Sequence, residues 1–242
     1  MAVLIYLLLG LLSNQRHKQW PIYRYIFWVF GVLSAAAAII DPIAELAHKN
    51  FTAHMVGHLF LGMLAPLLLS LAAPMTLLMR NLGVRYARKL SRMLKSFPVG
   101  VYCHPIAASI LNIGGLWVLY TTELYTAMHY YPLLQMIVHL HVFLAGYLYT
   151  ISIIYVDPIA HRYSFIFRAI VLILSLAAHG ILSKYIYAYP PAGVPIEHAQ
   201  AGGMIMYYGG DLIELGLIFL FCRQWYRAAR PRTFVDKSLK II

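Results

Sequence analysis

"FTAHMVGHLFLGMLAPLLLSLAAPMTLLM", residues 51–79, runs from end to end without one Asp, Glu, Lys or Arg. At about 1.5 Å per residue, a helix over this stretch exceeds the roughly 30 Å hydrocarbon core of a bilayer. That single reading sets the fold class, because only helices and closed barrels satisfy their backbone polar groups in lipid. The rest of the chain agrees. Of its 242 residues 62% are hydrophobic and 11% charged, with a mean hydropathy of +0.72. Globular proteins carry about 25% charged residues, so this chain lacks the charge to cover a water-facing surface. It reads as an integral membrane protein.

Outward from this stretch, apolar runs of membrane-spanning length fall at about 22–40, 52–79, 101–121, 132–156, 165–187 and 201–225. The opening "MAVLIYLLLGLLS" (1–13) covers only some 20 Å as a helix. It lacks a basic n-region and a small-residue cleavage site, so it is read as a short first membrane helix. The expected fold is all-α: a polytopic membrane bundle of about seven transmembrane helices forming one domain over 1–242.

Seven helices divide the loops into two sets, and charge sorts between them. Of the 19 Lys and Arg residues, all but Lys49 and Lys184 fall in 14–24, 80–95, 157–168 or the tail after Phe221. Basic loops stay cytoplasmic, which predicts an outside N-terminus and a cytoplasmic C-terminus. The net charge of +11 is then a topology signal with some attraction to anionic lipid, and nucleic acid is not implied. Cys103 and Cys222 fall at cytoplasmic helix ends and are expected as thiols. The basic stretch "RNLGVRYARKLSRMLKSFP" (80–98) is expected as an amphipathic interfacial helix.

This orientation maps the eleven histidines. His17, His104 and His161 go to the cytoplasmic side; His48, His54, His58, His129, His139, His141, His179 and His198 go to the outer half. An ionisable residue inside a membrane helix costs about 2.5–3.5 kcal/mol when charged and wants partners. His54 and His58 lie four apart on one helix face. His139, His179 and Asp211 fall within two or three turns of an outer helix end, with Glu214 one turn beyond Asp211. A shared metal layer of His54, His58, His139, His179 and Asp211 is the expectation. For one intramembrane histidine alone, a hydrogen-bonded packing role is equally good. His141 points about 200° from His139 and is assigned to structure. His48, His129 and His198 are assigned to exposed loops. Met55, Met63, Met128, Met136, Met204 and Met206 share the outer half, and thioether with imidazole suits Cu(I), though methionine also packs apolar helices.

Other chemistries fit less well. "HMVGH" has no glutamate between its histidines, against a zinc protease. No hydrolase elbow or phosphate-cradling loop occurs, so no enzyme activity is expected. Two facing-helix histidines would also suit a b-type haem, so a haem-binding redox protein stays open beside a copper or solute permease.

The motifs "HMVGHLFLGMLAPLLLSLAAPMTLLMR", "HPIAASILNIGGLWVLYTTELYTAM", "LLQMIVHLHVFLAGYLY", "LAAHGILS" and "IEHAQAGGMIMYYGGDLIELG" follow in order over about 50–225. In this the chain resembles the seven-helix CtaG proteins, cytochrome c oxidase assembly factors of bacterial caa3 type. The resemblance implies a bacterial or archaeal cytoplasmic membrane protein, a metallochaperone helping copper reach the CuB centre. The implied partners are the oxidase catalytic subunit and an outer-face copper donor protein. His54 and His58 match the family's helix pair, His139 the histidine seven before Gly146, His179 the family's A/P-H-x-x-x position and Asp211 the G-D of the last helix. Many relatives carry a histidine three after the tryptophan of the fourth span; here Tyr120 follows Trp117, so a site relying on that ligand is altered.

Overall fold

The computed structural model describes residues 1–40, 45–47, 50–159 and 161–230. His48, expected in a loop, lies outside them. Every regular element among the described residues is helical. In order these are α1 (Ala2–Arg16), α2 (Ile22–Ile39), α3 (Phe51–Leu71), α4 (Pro74–Asn81), α5 (Val84–Leu94) and α6 (Phe97–Tyr102), then α7 (Pro105–Thr121), α8 (Leu124–Tyr130), α9 (Pro132–Ile153), α10 (Phe165–Ala188) and α11 (Ile196–Ala229). Five of the described helices, α2, α3, α9, α10 and α11, are long and apolar enough to cross a membrane. A sixth span exists if α7 and α8, bent by 77°, count as one. With 15 residues, α1 is a shorter apolar helix. The set fits a multi-pass membrane protein.

Two breaks have local causes, the first a departure from the expected spans and the second at the expected end of a span, Thr121. The apolar run 52–79 breaks at Ala73, which adopts a left-handed conformation (φ 53°) before Pro74 opens α4. Proline disfavours α-helix in the residue before it and suits the first helical position after. The new helix start is held by Asp157, whose carboxylate accepts from Met75 N at 3.0 Å, Thr76 N at 2.8 Å and Thr76 Oγ1 at 2.6 Å. At the other break, Thr121 and Thr122 donate their hydroxyls back to the carbonyls of Trp117 and Val118, closing α7.

Two helices contain π-helical turns, Leu59–Leu64 in α3 and Ile110–Gly114 in α7. Such turns free backbone carbonyls and recur at functional sites. The first begins directly after His58. At the second, His141 on α9 lies 3.1 Å from the Leu111 carbonyl through Nε2, so this exposed histidine ties α9 to α7. Between the turns α9 crosses α3 closely: a side chain on Gly146 would collide with the Gly62 carbonyl. Only glycine permits that approach.

The core divides along the bundle. One cluster, including Phe51, Met55, Tyr120, Tyr125, Met206 and Ile186, surrounds the starts of α3 and α9. A second, with Ile153, Val171, Leu172, Leu217 and Phe221, fills the end carrying the basic loops. There the buried Arg168 donates to the Ile153 carbonyl and lies 4.0 Å from the Tyr155 ring centre. Both cysteines are free.

Candidate functional site

The four interior histidines come from α3, α9 and α10, and they line two adjoining cavities. The larger, about 710 Å³, has His54, His58, His129 and His139 in its wall, with Tyr120, Met128, Gln135 and Met136. Its rim includes Ile39, Met136 and Leu140, which are 54%, 61% and 54% exposed. The smaller, about 30 Å³, is lined by His58, Met63, Asn112, Tyr149, Ser175, His179 and Glu214 among others. That volume admits one or two water-sized groups. His58 belongs to both.

In the larger cavity the imidazoles are engaged with aromatic neighbours. Asn50 caps α3 by accepting from Thr52 N, which sets His54 one turn into the helix. His54 Nε2 lies 3.1 Å from Tyr120 Oη, within hydrogen-bond reach, and its ring meets Tyr125 edge-on at 5.0 Å. His129 sits on α8, not in a loop, with Nδ1 donating to the Tyr125 carbonyl at 2.8 Å. Tyr120, three residues after Trp117, thus meets the His54 ring directly.

The smaller cavity is different. His179, 2% exposed, donates from Nδ1 to Glu214 Oε1 at 3.0 Å. With Nδ1 engaged by this carboxylate, Nε2 is the ring nitrogen of His179 left to face elsewhere. Among the described residues, His179 Nε2 and His58 Nε2 are both buried without a hydrogen-bond partner. Leaving one such atom unsatisfied costs about 1–3 kcal/mol, so the small cavity beside them is where a group meeting both would sit. The ring centres of His58 and His179 are 6.5 Å apart. With metal–nitrogen bonds of about 2.0 Å, an ion between two imidazoles holds ring centres roughly 5–6.5 Å apart. Glu214 orienting the ring of a metal-binding histidine is the usual outer arrangement of such sites.

Asp211 lies exposed on α11, apart from these groups. A carboxylate that reaches an interior imidazole is Glu214, and the signal for it is Gly210 one turn earlier. A Cβ at Gly210 would come within 2.5 Å of His179 Cε1. The face bearing Gly210 and Glu214 is therefore stripped of bulk where the imidazole docks. Among the methionines, Met55, Met128 and Met206 are buried in the apolar core, Met136 and Met204 are exposed, and Met63 lines the smaller cavity. Of the remaining histidines, His104 caps α7, His17 meets the Arg80 carbonyl at 3.0 Å, His161 is exposed, and the His198 carbonyl accepts from Thr52. Among the described residues, no three His, Cys, Asp or Glu side chains stand together as a ready-made metal cluster.

Comparison with known proteins gives a family match over residues 4–228, to the model described as cytochrome c oxidase caa3 assembly factor (Caa3_CtaG). Similar curated proteins are the uncharacterized protein ML1998 of Mycobacterium leprae and the uncharacterized protein Mb0105 of Mycobacterium bovis. The first is 26% identical over 229 residues, covering 86% of this chain and 35% of the relative. The second is 27% identical over 238 residues, covering 90% and 36%. The chain thus spans about a third of the length of the relatives it matches. No solved structure matches it.

Proposed function

We propose, from the premise that the chain belongs to the cytochrome c oxidase caa3 assembly factors, that it carries copper as cargo for the oxidase. The Nε2 atoms of His58 and His179 bind one Cu(I), and Met63 offers a thioether beside them. The observation that supports this most is the pair of partnerless buried nitrogens lining one small cavity. Soft and borderline donors of this kind suit Cu(I), which two nitrogens can hold without a larger cluster. Glu214 orients His179 and places a negative charge near the bound cation.

In this reading the larger cavity is the entrance. Copper from an outer-face donor protein meets His54, His129 and His139 there, then moves to His58, which belongs to both cavities. The N-terminus is outside and the C-terminus cytoplasmic in a bacterial membrane, because the basic loops gather at one end of the bundle. The ion leaves sideways to the oxidase catalytic subunit for its CuB centre. A permease reading would need a continuation to the basic end. The packed apolar cluster of Ile153, Val171, Leu172, Leu217 and Phe221 supports delivery within the membrane instead.

Purified protein titrated with Cu(I) should bind one ion per chain, and His58→Ala should bind none. Full stoichiometry in His58→Ala contradicts the reading.

A further inference from the structure

A second feature lies at the basic end, far in character from the histidine cavities and independent of the copper reading. Helix α5 has no buried residue, yet it is strongly two-sided. At about 100° per residue, Arg85, Arg88, Lys89 and Arg92 fall within roughly 100° of arc, and Tyr86, Leu90, Met93 and Leu94 occupy the opposite arc. On the apolar side Tyr86 and Met93 are 66% and 58% exposed. Water is a poor solvent for that face, and an anionic surface is the natural neighbour of the other.

Beside α5 the chain forms a groove of about 420 Å³ lined by His17, Arg80, Leu82, Val84, Arg88 and Ser91, among others. Among the described residues, no acidic side chain lines it. Its far wall is fixed: Arg80 Nη2 donates to the Lys18 carbonyl at 2.5 Å, His17 meets the Arg80 carbonyl, and the guanidinium lies 5.0 Å from the Trp20 ring centre. The near wall is Arg88 of α5. Two guanidinium groups thus face one groove, the planar donors best matched to phosphate oxygens. Helix α1 ends at this groove and exposes Leu8, Leu11 and Leu12. Exposed apolar side chains therefore reach the cationic groove from α1 and, through Val84 (67% exposed), from the start of α5.

We propose that this groove is a binding site for one anionic phospholipid, its phosphate between Arg80 and Arg88 and its acyl chains against α1 and Val84 of α5. Cations alone would equally attract nucleic acid or an acidic protein segment. Neither of those has a use for the exposed Val84 and Leu11 beside the charge, and a phospholipid uses both features at once. Bound there, the lipid fixes the α4–α5 connection against α1.

The test is native mass spectrometry of the full chain, taken from bilayers of phosphatidylcholine mixed with phosphatidylglycerol. Phosphatidylglycerol should be retained selectively, and Arg88→Gln should weaken that preference roughly five-fold, the effect of one cation near an anionic surface. The preference should also fall as salt rises, a readout that needs no variant. Lys184→Gln, at the opposite end, should leave it unchanged. Equal retention of the two lipids overturns the proposal, as does a preference untouched by Arg88→Gln. Inorganic phosphate displacing the lipid from detergent-solubilised protein at equal concentration would mark a free-phosphate site and also overturn it.

Discussion

The two cavities share His58 but treat their histidines in opposite ways. In the larger one the rings are dressed: Tyr120 meets His54 Nε2, and the Tyr125 carbonyl accepts from His129 Nδ1. In the smaller one a carboxylate holds His179 by Nδ1, and two Nε2 atoms are left without partners. Residue type does not separate these groups; what meets the ring does. His54 Nε2 is taken up by a hydroxyl, whereas Nε2 of His58 and of His179 meets no partner among the described residues and is a place to bind.

The comparison can be strained most by removing the charge that sets His179. Glu214→Gln keeps the size of the side chain but loses the anion beside the cation site. Cu(I) affinity, measured by chelator competition, should fall about 10- to 100-fold, the usual cost of losing such a supporting partner. An unchanged affinity would mean the smaller cavity is a packing feature. Next comes Gly210→Ala, whose new methyl meets His179 Cε1 at 2.5 Å. The ring must shift, so copper binding should weaken, and thermal unfolding in detergent should show a loss of about 1–3 kcal/mol. The smallest effect is expected from Tyr120→Phe in the larger cavity. It removes one hydrogen bond to His54, worth about 1 kcal/mol of stability, and leaves the copper stoichiometry at one per chain. A loss of copper there would make the tyrosine part of the ion site.

Much of this arrangement is legible in the residues. Helix class follows from apolar run length, and His58 and His179 follow from polar rings at interior positions. The matched family agrees with the resemblance carried by five ordered motifs. Glu214 is harder to read, because "GGD" draws attention to Asp211 while the glycine at 210 is the informative residue. Asp211 lies 100° around the helix from Gly210, whereas Glu214 lies one turn on along the same face. The π-helical turns after His58 and before Trp117 leave no local pattern, since they arise from the crossing of α3, α7 and α9. The break at Ala73 was signalled by Pro74, but the unbroken hydropathy of 51–79 masks it.

The most direct measurement compares one histidine from each cavity, His179→Ala and His54→Ala, by copper analysis of purified, Cu(I)-loaded protein. The account predicts that His179→Ala retains no stoichiometric copper and that His54→Ala still holds one ion per chain. Copper retained in His179→Ala but lost in His54→Ala would place the ion in the larger cavity and contradict it.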